Sequence, residues 1–215
     1  MLIIYIYIPP LKFCLAKFSM GDYIHILISK KGEVSVIDKE FAIMFGIIAI
    51  IFAIVICILL KKGVKKTALV CIFIAYITAV VCIVFFPIPY DSEPIVYSNG
   101  YTWYNFVPFA MITEAVSNGF GETAFLQIFG NIFLSVPFGF FVMMWMKKPK
   151  LWKMFVFAFA FTITIEITQM FLGFAINSMY RNVDIDDVIL NAMGAFIGFG
   201  IYKILPKSFK QMLTA

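Results

Sequence analysis

Two stretches of the chain combine residue types and spacings that support chemistry. In FTITIEITQMFLGF (161–174), Glu166 stands four residues after Thr162 and three before Gln169, so the three share one helical face. In RNVDIDDVILNAMGAFIGFG (181–200), Asp184, Asp187, Asn191, Gly194 and Gly198 recur at i, i+3, i+7, i+10 and i+14. That spacing is one stripe of one helix, polar at the top and glycine below. Carboxylates and amides in such a set suit general acid–base work on a phosphate or sugar headgroup. Their oxygens also suit a divalent cation such as Mg²⁺ or Mn²⁺, although no residue is singled out as a metal ligand.

Each of these residues also has a purely structural reading. Asp184 is a fair N-cap, and acids in a first turn complement the helix dipole. Asp186 lies off the stripe and is expected only to start the helix. Arg181 is the single arginine among 17 basic residues. A planar guanidinium grips a carboxylate or phosphate bidentately where a lysine does not. Its expected partner is Asp184, Glu166 or a substrate phosphate, and the sequence leaves the three open.

The elements that position these groups are membrane helices. The chain has 215 residues, 63% of them hydrophobic and 13% charged, with a mean hydropathy of +0.99. An ordinary soluble domain is apolar over nearer half its length. Runs of about 20 apolar residues are needed to cross a bilayer, and five are present, near 41–60, 67–86, 124–146, 152–175 and 187–205. The expected fold is an all-α integral membrane bundle of about five transmembrane helices. Residues 1–40 read as an N-terminal interfacial or re-entrant segment plus linker, because Pro9 and Pro10 interrupt LIIYIYI and Lys12, Lys17 and Asp22 follow. Residues 41–215 form the membrane domain.

The net charge of +5 lies in short loops beside the spans, which excludes a nucleic-acid face and supplies topology signals instead. KKGVKK (61–66), KKPKLWK (147–153) and Lys203, Lys207 and Lys210 are expected on the cytoplasmic side, with the C-terminus. The connection 87–123 has no lysine or arginine and is expected outside. One histidine, His25, and cysteines without metal spacing exclude a His/Cys zinc site and a Ser-His-Asp triad. Cys57, Cys71 and Cys82 read as reduced packing residues.

On this topology Glu166, Asn131 and Asn191 reach one layer in the outer half of the membrane. Asn191 lies roughly 6 Å below Asp187 at 1.5 Å per residue. A charge in a span is costly and generally faces a bundle interior. Pro137 and Gly139 in the third span should kink it and free a carbonyl. NFVPF (105–109), after YTWY, suits the headgroup level and would roof the layer.

NFVPF, GNIFLSVPFGF, IEITQ and RNVDIDDVILNAMGAFIGFG together resemble the VanZ-like membrane proteins, in the expected order over about residues 76–202. The resemblance implies a bacterial envelope protein associated with resistance to teicoplanin, a glycopeptide acting at the outer face of the membrane. It carries the family's polar positions to Asn105, Asn131, Glu166, Gln169, Arg181, Asp184, Asp187 and Asn191. Of these, Glu166, Arg181, Asp184 and Asp187 are the candidates for catalysis, and Asn105, Asn131, Gln169 and Asn191 for substrate binding. The expected partner is a membrane lipid or a lipid-linked cell-wall precursor at the outer leaflet, bound or chemically altered. The alternatives are a non-enzymatic envelope helper that changes antibiotic access and, less favoured for want of an inverted repeat, a small transporter.

Overall fold

The computed structural model describes residues 36–89, 104–117, 119–146, 150–177 and 180–214. The N-terminal segment, with His25, lies outside the described residues. Among the described residues there are seven helices, five of them long and apolar enough to cross a membrane. The spanning helices are α1 (Glu40–Leu59), α2 (Val64–Phe85), α4 (Glu122–Trp145), α5 (Leu151–Ala175) and α6 (Ile185–Ile204). Two short helices flank them, α3 (Ala110–Ser117) at one end of the bundle and α7 (Lys207–Thr214) at the other. Each span begins within three residues of the apolar run that announced it.

Two pairs of two-residue strands close the end of the bundle that carries α3. Val36–Ile37 (β1) pairs antiparallel with Ile88–Pro89 (β2), which ties the start of α1 to the end of α2. Tyr104–Asn105 (β3) pairs parallel with Val183–Asp184 (β4), setting Asn105 beside Asp184.

The most extensive contact joins α4 and α6, which run parallel. Asn131 meets Asp187 and Ser135 meets Asn191, each pair 56 residues apart. The same offset recurs where Gly139 meets Ala195. Apolar surface gains nothing by leaving lipid, so membrane helices associate through close backbone approach and hydrogen bonds. The seam uses both. A Cβ added at Gly139 would overlap the Ala195 carbonyl oxygen, one at Gly194 that of Ile132, and one at Gly198 that of Val136. Helix α5 packs beside the pair, with Phe138 and Phe161 stacked at a centroid distance of 4.0 Å.

Beyond the glycines, Phe141, Met144, Met154, Ala158, Phe199 and Tyr202 form an apolar core, which Leu69 and Phe73 of α2 join. A smaller cluster, Met111, Ala115, Ile128 and Leu190, seats α3 against α4 and α6. Pro137 leaves α4 as one continuous helix. Tyr76 of α2 donates to the Leu134 carbonyl at 2.7 Å, one residue past the carbonyl that a proline at position 137 leaves without its helical donor. Cys57, Cys71 and Cys82 are free thiols.

Candidate functional site

The acidic run of 184–187 opens α6, and its carboxylates are directed inward. Asp184 is 1% exposed. Its Oδ1 accepts from the amide of Asp186 at 3.0 Å, making it the N-cap, and from Asn105 Nδ2 at 2.9 Å. One buried carboxylate therefore starts α6 and clamps β3 at the same point. Glu166 of α5, 6% exposed, reaches the same place: its Oε2 accepts the backbone N–H of Asp184 at 3.1 Å. The acid in the middle of α5 faces the bundle interior and meets the start of α6.

Asp186 does more than open the helix. It is as buried as Asp184, and its two oxygens accept the amides of Phe109 and of Met111, the latter at 2.8 Å. Those amides belong to the first turn of α3, where N–H groups lack helical partners and favour negative charge. Phe109 holds a left-handed backbone with φ of 63°. A side chain with a Cβ rarely adopts that conformation, and the Asp186 contact helps to maintain it. The spacing that put Asp186 off the stripe gave no sign of this role, because its partners lie 75 and 77 residues earlier in the chain.

Arg181 and Gln169 meet at the end of α2. The last carbonyls of a helix have no donors of their own, and Pro87, two residues past the last helical residue, has no N–H to offer. Three side chains supply donors: Gln169 Nε2 to Val84 at 3.2 Å, the Tyr180 hydroxyl to Phe85 at 3.0 Å, and Arg181 to Ile83 and Phe86 at 3.4 and 3.3 Å. A cation at a helix C-terminus complements its partial negative charge. The Arg181 guanidinium also lies 5.9 Å from the centre of the Tyr180 ring.

The seam between α4 and α6 carries the remaining polar residues as a ladder. Its deepest polar rung, Ser135 donating to Asn191 Oδ1 at 2.8 Å, is fully enclosed. One turn outward, Asn131 Nδ2 donates to Asp187 Oδ1 at 2.6 Å, and both residues are only half-buried. A further turn outward on α4 stands Gln127, which is 9% exposed and whose buried Oε1 has no hydrogen-bond donor. Gln127 and Ser135 escaped the sequence reading, although Gln127, Asn131, Ser135 and Gly139 recur every four residues along one face.

Of the eight residues carried over from the family motifs, Asn105, Glu166 and Asp184 join in one buried knot. Asn131, Asp187 and Asn191 line the adjoining seam, and Gln169 and Arg181 hold the end of α2. The loop of NFVPF is fixed at Asn105 and Phe109 and exposes Phe106, Val107 and Phe109. Among the described residues no three of His, Cys, Asp and Glu converge in a way that would hold a metal ion. The carboxylate oxygens of Asp186 and Oδ1 of Asp184 are instead occupied by N–H donors.

No curated protein and no solved structure matches the chain. The VanZ/LLP1 family pattern, by contrast, matches residues 73–206, which include every residue of the knot, the ladder and the α2 cap. With well over half its length matched, the chain belongs to the VanZ/LLP1 family, membrane proteins linked to glycopeptide resistance.

Proposed function

We propose that the chain binds an envelope lipid, or the headgroup of a lipid-linked cell-wall component, from the outer leaflet, between α4 and the start of α6. The observation that carries this reading is the grading of the polar ladder. Its deep rung is sealed, its middle rung of Asn131 and Asp187 is half-open, and its outermost residue, Gln127, holds an unmatched acceptor. A polar seam needed only to join two helices would close along its whole length, since each unmatched buried group costs about 1–3 kcal/mol.

Orientation supports the outer leaflet. The described lysines of 61–66, 150–153 and 203–210 all lie at the end opposite the ladder's mouth. Lysine-rich short loops remain cytoplasmic, so the knot and the half-open rung face out and the C-terminus faces in. The reading is of a binding site. Asp184, Asp186 and Arg181 each have a part in holding outer segments together, which also favours the helper role, a bound lipid altering antibiotic access without turnover.

The test is lipid retention and teicoplanin susceptibility measured on the same variants. Asp187→Asn and Asn131→Leu should each cut the lipid that co-purifies with the protein on the order of tenfold and remove any protection, while the protein still accumulates in the membrane. An unchanged lipid complement in both variants would refute the reading. Chemical conversion of the retained lipid in proteoliposomes would replace binding with catalysis.

A further inference from the structure

Among the described residues, two buried side-chain atoms are without partners, and both are acceptors: Gln127 Oε1 on α4 and Gln169 Oε1 on α5. The orientation of Gln169 is fixed by its other end, because Nε2 donates to the Val84 carbonyl and the oxygen must then point away. The acidic side chains of the polar layer have the same sense. Oxygens of Glu166, Asp184, Asp186 and Asp187 accept hydrogen bonds there, and the basic residue beside them, Arg181, is turned to the carbonyls ending α2. A phosphate brought to this layer would meet carboxylates and orphan carbonyl oxygens. A group rich in N–H or O–H donors would satisfy the two orphan oxygens.

On the binding reading above, we infer that the part of the ligand entering the layer is a hydrogen-bond donor, the hydroxyls or primary ammonium of a headgroup, and that its phosphate stays outside. Gln127 is the specificity residue. It stands one helical turn outward of Asn131 on the same face, so a donor lying on the Asn131–Asp187 rung has the Gln127 oxygen as its next neighbour. A buried acceptor discriminates strongly against ligands that cannot satisfy it, because the alternative leaves it unpaired.

Competition in nanodiscs tests this. The background lipid is phosphatidylcholine, whose headgroup has no donor. The probes are phosphatidylethanolamine for the ammonium, diglucosyl diacylglycerol for hydroxyls, and phosphatidic acid for bare phosphate. The wild-type chain should retain one or both donor lipids on the order of tenfold over phosphatidic acid, and the preferred probe identifies the source of the donor. Gln127→Leu should abolish that preference, whereas Gln127→Glu, which keeps acceptor oxygens at the same reach, should preserve it. Thermal melting of both variants separates lost selectivity from lost folding. Preferential retention of phosphatidic acid would overturn the inference while leaving the lipid-binding reading intact. Retention of no probe above background would overturn both.

Discussion

Helix α1 and helix α6 are both 20 residues long, yet the most apolar stretch of α1 is 11% buried within the molecule and that of α6 is 56% buried. In water the more apolar helix would take the centre of the fold. Here α1, the more apolar, lies at the edge, touching mainly α2, and exposes large side chains such as Phe45, Phe52 and Ile58. Helix α6, with its glycines, Asp187 and Asn191, is the one more than half buried against protein, leaving one face of Met193, Ile197 and Ile201 exposed. Lipid solvates isoleucine as well as another helix would, so α1 has no reason to move inward. A helix carrying amides, carboxylates and bare backbone does.

The largest effect that would break this contrast is expected at the seam. Gly198→Ala places a methyl group against the Val136 carbonyl and the Phe140 amide of α4, both rigid backbone. The loss should be about 3 kcal/mol, the upper end for overpacking, and visible as a lowered melting temperature and poor accumulation. Gly200→Ala, two residues on, meets nothing within 4 Å and should change stability by no more than about 0.5 kcal/mol. Equal behaviour of the two would mean that α4 and α6 are not in backbone contact.

The next effect lies at the knot. Asp186→Ala leaves the amides of Phe109 and Met111 without their acceptor, at about 2 kcal/mol in all once water reaches them. Hydrogen exchange at those two amides should rise while exchange within α4 stays slow. A smaller loss, about 1 kcal/mol, is expected for Arg181→Leu, which removes both the donor to the Ile83 and Phe86 carbonyls and the cation at the negative end of α2. The charge-swapped pair Glu166→Arg with Arg181→Glu should not recover stability, since a carboxylate at 181 would face the negative end of α2. Recovery would show that the two residues act chiefly as an ion pair. The smallest change belongs to α1, where Phe52→Leu at a 66% exposed position should shift melting by no more than about 0.5 kcal/mol.

The spans were legible because hydrocarbon thickness imposes length and apolarity on every crossing helix, whatever its neighbours. The stripe from Asp187 to Gly198 was legible too, since the face that contacts α4 is set by helical periodicity alone. Asp186 was not. Its value comes from two amides on a distant loop, and no spacing around position 186 refers to them. The partners of Arg181 were hidden for a related reason: a guanidinium reads as a ligand for acids, and the acceptors it meets are main-chain carbonyls, which every residue possesses. Gln127 could have been found from its four-residue spacing to Asn131 and Ser135, but a glutamine near a helix start is unremarkable until its burial is known.

Both ends of the segment from Asn105 to Met111 are fastened to the opening turn of α6, through Asp184 and Asp186, while Phe106, Val107 and Phe109 project outward. Anchored at both ends, those three side chains would ride with the bundle and serve as its draught mark in a bilayer. The depth to which they sink would set the height of the half-open rung relative to the acyl chains, so a thicker or thinner membrane would raise or lower the polar layer as a unit, with no rearrangement of the loop.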